Sequence, residues 1–463
     1  MTGGLLQLVA KGIEDVYLTS DPHITFFKNI YKKHVLFSIE SIRQNFNDKG
    51  NFGKKISCLI SKSGDLIGNV ILVITLPEIK KHMINEKSNN IQFSWNKKIG
   101  YSIVKKIEIE IGGKIIDENY GEWLNIWSEL TYKKKDELNK VIGNIPELYN
   151  FSDEKDEYTL YIPLQFWFCK SYSLAIPIIC LQHTDVKINV EFNDFDKCHS
   201  IIPTHTMEIE NDFVNFDKYD YMIQNIKKDD ARYGIFYDYD IITKKLYYNL
   251  ISEKDFESQK INTYSKMNND EYPFNIINNP KDKYNIFSKN NKSWVQPKIT
   301  ICEENKDILN CSNRINKKSN IINIKESYLI IDYIYIDQEH RNQFLNNSHE
   351  YLIEQIQFTG EKIIESNHLN INLNFINPVK SIFWTIQKNS MYESNDLFNY
   401  TNEPLYDSEN NPKGISLIKE QSINLSEKKR ISEREYQYFN YVQAYQHFNN
   451  IQEGINMYSF SFR

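Results

Sequence analysis

The sequence predicts an all-β protein of sandwich or jelly-roll architecture. Three observations lead there. Aromatic residues make up 14% of the 463-residue chain, with 31 Tyr and 26 Phe, types that suit a pleated, half-buried surface. Short apolar runs alternate with polar residues at period two between turn signals. No regular exchange of strand and helix patterns supports a doubly wound parallel sheet.

The elements follow in order. "KKISCLISKSGDLIGNVILVITLP" (54–77) reads as two strands around Ser63-Gly64-Asp65, a hairpin by its turn chemistry. In 104–118, Ile107, Ile109 and Ile111 alternate with Glu108 and Glu110, so one face is expected to be buried and one wet. Gly112-Gly113 then supplies the positive-φ pair of a tight hairpin turn. Residues 119–143 shift to helical spacing, with Leu124, Trp127 and Leu130 at three-residue steps. Strand patterns return at 157–169 and 174–192, where Pro163 and Pro177 mark edges, bulges or strand starts. From 195 to 322, Asn/Asp/Lys-rich tracts surround aromatic patches such as 233–250. This is a long polar insertion with some structure of its own, because structureless loops of that length are rare inside compact domains.

"SYLIIDYIYI" (327–336) is a strong strand, and 337–355 a charged, helix-compatible connector. "IQFTG" and 368–387 read as strands, with Leu369, Ile371, Leu373 and Phe375 alternating with asparagines. A polar loop over 388–430 precedes "YQYFNYVQAYQHF" and the terminal "GINMYSFSFR" (454–463). In the latter, Tyr458, Phe460 and Phe462 share one side of an extended chain and Ile455 and Met457 the other, so a neighbouring strand is expected.

Composition excludes several functions. Fifty-five basic residues face 61 acidic ones, a net charge of −6, without the basic domain of a nucleic-acid binder. The lysine clusters in 29–34 and 132–140 are interrupted and read as solvated faces. Six scattered cysteines (58, 169, 180, 198, 302, 311) form no disulfide framework and read as reduced thiols; Cys302 and Cys311 flank a polar loop. The N-terminus does not read as a signal peptide, and the apolar run 68–77 is too short to span a bilayer.

No phosphate loop, dinucleotide fingerprint, zinc-protease helix motif or nucleophile elbow is present. Cys180, His183, Cys198 and His199 have a loose zinc-like spacing. Cys180 and His183 fall in a strand pattern, where residues three apart face opposite ways, so a buried Cys and a rim His is the better reading. Six N-x-[ST] sequons, at Asn150, Asn291, Asn310, Asn346, Asn399 and Asn424, carry little weight in an Asn-rich chain. No catalytic, cofactor-binding or metal-binding residue is assigned, and the chain does not read as an enzyme.

Three stretches resemble the major capsid proteins of nucleocytoplasmic large DNA viruses: 3–42, 163–192 ("PLQFWFCKSYSLAIPIICLQHTDVKINVEF") and 332–360 ("DYIYIDQEHRNQFLNNSHEYLIEQIQFTG"). The segment 369–384, "YFNYVQAYQHF" (438–448) and the terminal stretch are similar to further family motifs, with Ala444 where the family motif usually has proline. The Asn/Ile/Lys bias resembles that of giant amoebal viruses.

The resemblance implies a double jelly roll, two β-sandwiches side by side, with long loop insertions and short helices. It implies an N-terminal arm over 1–25 near neighbouring capsomers and the inner shell. The first jelly roll would run over 26–348, including the 195–322 insertion and a connector at 337–348, and the second over 349–463. Loop 388–430 would rise on the outer capsomer surface. Family members continue past the terminal motif with further strands, so the second roll is expected to be truncated and incomplete.

The function implied is a structural capsid subunit, either a main capsid protein or a minor, truncated paralogue. It would assemble as a homotrimer, or a mixed trimer with other capsid proteins, into pseudo-hexagonal capsomers. Its partners would be neighbouring capsomers and minor capsid proteins. It would lie close to the inner viral membrane without spanning it and without touching nucleic acid. It would be made and assembled in the host cytoplasm and reside in the virion. A jelly-roll carbohydrate-binding, lectin-like module is the alternative, because that architecture also hosts sugar sites.

Overall fold

The computed structural model describes residues 36–461 except 81–82, 84–91, 228–229, 252–284, 289–292, 299–312, 315–321, 404–405, 408–410 and 426–427. The arm over 1–25, the expected start of the first roll at Phe26, and Cys302 and Cys311 lie outside the described residues.

In chain order the first strands are β1 (Phe37–Asn45), β2 (Lys55–Leu59), β3 (Leu66–Leu76), β4 (Gln92–Trp95), β5 (Val104–Ile111), β6 (Lys114–Tyr120), β7 (Tyr158–Pro163), β8 (Val186–Phe192) and β9 (His199–Ile202). The insertion contributes β10 (His205–Glu208), β11 (Tyr221–Lys227), β12 (Asp230–Asp240), β13 (Lys245–Ile251), β14 (Ile286–Ser288), β15 (Trp294–Val295) and β16 (Asn313–Arg314). With β17 (Glu326–Ile336) the chain returns to the first unit.

Two four-stranded antiparallel sheets, β1-β17-β3-β7 and β2-β8-β5-β6, form a complete eight-stranded sandwich. Apolar side chains of both meet in one core: Leu72, Ile74, Ile162, Leu329 and Ile331 from one sheet, Ile56, Ile107, Ile109, Ile188 and Val190 from the other. Burial of this kind is the main favourable contribution to folding.

The Gly112-Gly113 turn has φ of 59° and 82° and joins β5 to β6 as the sequence predicts. The hairpin expected over 54–77 does not form. Its two strands exist, but β2 and β3 lie in opposite sheets. The chain between them steps across the sandwich, held by Asp65, which accepts a bond from the Ile336 N–H at 2.9 Å and pairs with Arg341 at 2.9 Å. Gly64 sits against the Tyr333 ring, where a Cβ would come within 2.9 Å of the tyrosine Cβ. A strand–turn–strand pattern is common to a hairpin and to such a crossing. The strand expected from 174 begins only at Val186, because a 3-10 turn at Ile178–Cys180 precedes it. Glu108, expected on a wet face, is buried between Lys55 and Lys106, each at 2.7 Å.

Within the insertion, the described residues from His205 to Arg314 form one seven-stranded sheet, β15-β14-β11-β12-β13-β10-β16, whereas β9 at its start pairs with β4. The sheet has an apolar cluster of its own, built on Met207, Phe236, Leu246, Tyr248 and Ile286. Its first and last strands are neighbours, with His205 opposite Arg314.

The connector is a helix, Gln338–Asn346, capped by Asp337, whose carboxylate accepts the His340 N–H at 2.8 Å. Beyond it come β18 (Ser381–Trp384), β19 (Glu420–Leu425), β20 (Lys428–Glu435) and β21 (Asn456–Ser459), pairing as β18-β21 and β19-β20. The terminal stretch is therefore a strand, and its partner is β18. "IQFTG" and 368–377, expected as strands, join no ladder among the described residues. The loop expected over 388–430 contains β19, and 438–447 is helical.

Candidate functional site: the junction between the two halves

The helix Gly121–Thr131 carries the join. Trp123 and Trp127 are four residues apart, one turn on the helix, and meet second-half rings: Trp123 against Phe383 at 5.2 Å, Trp127 against Phe448 at 5.8 Å, both edge-on. Below them Ile126 and Leu130 pack with Tyr400, Ala444, Ile455 and Met457. The helix C-terminus leaves carbonyls without intrahelical partners. Second-half groups satisfy them: the Asn449 and Asn450 N–H groups both donate to the Leu130 carbonyl at 3.1 Å, and the Asn449 amide donates to the Thr131 carbonyl at 2.8 Å.

Charges reinforce the junction. Glu354 lies between Lys170, at 2.6 Å, and Lys380. Burial alone would raise its carboxyl, but the two ammonium groups hold it down at about 2. Asp117 at the edge strand β6 accepts the Ile356 and Glu118 N–H groups at 3.0 Å. Burial still pushes it up to about 6.

A cavity of about 550 Å³ opens along the same seam, lined by Lys97, Lys98, Glu129, Asp396 and Tyr406 among others. Burial would raise the Glu129 carboxyl, but Lys98 and Lys135 hold it at about 2. The Lys97 ammonium lies 2.7 Å from the centre of the Tyr406 ring, and burial lowers it to about 8. The lysines 97, 98 and 135 face Glu129, Asp136 and Asp396, so the lining is charge-balanced, as suits an internal seam.

The cysteine–histidine grouping does not gather. Cys180 is exposed and bonds the Phe344 carbonyl, His183 is exposed, Cys198 is buried, and His199 stacks on Phe195 at 4.1 Å. Among the described residues, no three His, Cys, Asp or Glu side chains could hold a metal ion together. Of the sequons, Asn150, Asn346 and Asn424 are exposed. Asn399 is fully buried, its amide donating to Asp396 and to the Glu403 carbonyl, and Asn291 and Asn310 lie outside the described residues. The roles of Trp123, Trp127 and Asp117 escape sequence reasoning. The one available signal was the i, i+4 tryptophan pair on a helix otherwise read as an excursion.

A complete eight-stranded sandwich locked side by side to a second β unit places the chain in the double jelly-roll class of folds. Two solved structures share the fold. The VP54 protein of PBCV-1, fitted into a reconstruction of the virophage Sputnik, gives a TM-score of 0.54 at 20% identity, covering 95% of this chain and 81% of that one. The Faustovirus major capsid protein gives 0.54 at 11% identity, covering 98% and 87%.

Residues 25–239 match the family of the major capsid protein N-terminus, and 340–463 that of the large eukaryotic DNA virus major capsid protein. Probable capsid protein 4 of Acanthamoeba polyphaga mimivirus is 38% identical over all of this chain and 88% of its own length. Capsid protein 1 of the same virus is 32% identical over 86% of this chain, which spans about half, 51%, of that relative. The chain belongs to the family of large eukaryotic DNA virus major capsid proteins. The sugar-binding alternative draws no support from these relatives.

Proposed function

We propose that the chain is a structural subunit of an icosahedral capsid and works by shape and surface burial rather than by catalysis. The observation that carries this reading is the family match at both halves, in order, on two units that are locked to each other through Trp123, Trp127 and the capped helix end. Three copies, or this chain mixed with other capsid proteins, form a pseudo-hexagonal capsomer that contacts neighbouring capsomers and minor capsid proteins. The domains are the arm 1–25, the first jelly roll 26–348 and the second from 349. The capsomer base lies near the inner viral membrane. Among the described residues no helix is long and apolar enough to cross it. Assembly takes place in the host cytoplasm.

Mass photometry of the purified chain, alone and mixed with its capsid paralogues, tests the trimer. The expected result is a species of three chains. Monomers only, in every mixture, together with absence of its peptides from purified virions, overturn the proposal.

A further inference from the structure

Asn125 and Glu129 lie four residues apart on the helix Gly121–Thr131, so their side chains leave it one turn apart on the same face. Lys98 reaches them from the position just before the short helix Ile99–Ser102. Its backbone has a φ of 52°, in the left-handed region that a residue with a side chain adopts only at a cost. The Lys98 ammonium donates to Asn125 Oδ1 at 2.7 Å and also to Glu129. The three groups are enclosed: the Lys98 and Glu129 side chains are 16% and 12% exposed, and Asn125 is buried. A carbonyl bond is about 1.2 Å long, so the amide carbon of Asn125 lies within about 4 Å of Lys98 Nζ. Oriented reactants attack from about 3–3.5 Å, a small side-chain rotation away. A salt bridge needs only the carboxylate. Here an amine, an amide carbon and a carboxylate able to move protons between them meet out of bulk water.

We propose that Lys98 and Asn125 form an intramolecular isopeptide bond, with Glu129 as the proton carrier. Glu129 takes a proton from the Lys98 ammonium, and the free amine attacks Asn125 Cγ. The Nζ–Cγ bond forms and the Cγ–Nδ2 bond breaks. Glu129 passes two protons in turn from Nζ to Nδ2, which leaves as ammonium with the positive charge that Lys98 carried. The step is redox-neutral and no co-reactant enters. The seam cavity, which Lys98 and Glu129 both line, is the exit for the ammonium. Lys135, at 2.7 Å, stays as a partner of Glu129, so the product leaves no unpaired buried carboxylate. Glu129 is held at about 2 while two ammonium groups face it, so the proton-transferred form is rare and linkage is a slow, single event in the life of each chain. Its product ties the helix that meets the second half to the turn at Lys98 by a bond that denaturant does not break. This is chemistry within one chain and is independent of how copies assemble.

Mass measurement tests it. The full chain, shown to be folded by near-UV circular dichroism, is held for days at physiological temperature and then denatured for intact-mass and tryptic-peptide analysis. The expected mass is that of the sequence less one ammonia, with a branched peptide joining residues 98 and 125 and no tryptic cut after Lys98. Lys98→Arg keeps the charge and is expected to retain the full mass. Glu129→Gln is expected to slow the linkage by about 10²-fold or more. A folded wild-type chain at the full sequence mass overturns the proposal. So does an ammonia loss that persists in Lys98→Arg, or linkage of Glu129→Gln at the wild-type rate.

Discussion

Glu108 and Asp117 are two buried carboxylates on adjacent strands with opposite fates. Burial opposes ionisation of both. At Glu108, Lys106 and Lys55 overcome it, and the carboxyl is held below its ordinary value. At Asp117 the backbone N–H bonds and Lys170 do not suffice, and the group sits near 6 against 3.8 for a free Asp. The folded chain therefore binds this proton more tightly than the unfolded chain does. The stability Asp117 contributes is fully present below about pH 4 and is lost as pH rises through about 6. Its size is about 3 kcal/mol, from the rise from 3.8 to about 6 at ~1.4 kcal/mol per pH unit. Urea midpoints between pH 4 and pH 7 measure it, and Asp117→Asn should flatten that slope. Gly113 gives a second test at this scale. With φ of 82° and no atom within 4 Å of a built Cβ, Gly113→Val strains only the backbone. The expected loss is about 1–2 kcal/mol in chemical denaturation.

Among the elements, the helix Gly121–Thr131 supplies an apolar contact between the halves through Trp123, Ile126, Trp127 and Leu130. Leu130 is fully buried in the cluster shared with Met457 and Ile455. Leu130→Ala should cost about 2–5 kcal/mol. Hydrogen exchange would report it as faster exchange in 444–457, with less change in β3 and β17. Elements set by local chemistry were readable before the structure: the Gly112-Gly113 hairpin, the helix with Leu124, Trp127 and Leu130, and the strand 327–336. Those set by partners were not. Nothing in 54–77 distinguishes a hairpin from a step between sheets, because the deciding contacts, Arg341 and Ile336 on Asp65, lie far along the chain. The alternation in 368–375 reports a strand-forming tendency, but a ladder also requires a neighbour. Likewise no charge pattern announced that Glu108 would be buried, since its lysine partners come from its own strand and from β2.

At the scale of the whole molecule, the first jelly roll was legible through its strand count and the family resemblance, whereas the organised sheet within 195–322 was legible only as some structure. Among the described residues that sheet shares no apolar cluster with the sandwich. Replacing 205–314 by a short Gly/Ser linker should therefore leave the sandwich folded, with its denaturant midpoint shifted by an amount typical of surface changes, about 0.5 kcal/mol. Near-UV circular dichroism and the exchange protection of β3 and β17 would check this. Loss of both would mean that the insertion is part of the core.

The pairing of His205 with Arg314 bears on how the chain folds in time. The sandwich closes late, since Ser41 must find Asp332 across 291 positions. Such a search is slow where contacts are this distant in sequence. A segment whose two ends are adjacent strands can settle first and then behave as a short turn. Loop-closure entropy grows by only about 0.6 kcal/mol per doubling of length. The insertion is well under half of the intervening chain, so its presence barely alters the search. The site between β9 and β17 is thus kinetically quiet, a place where one surface module can be exchanged for another without changing the route by which the shell protein forms.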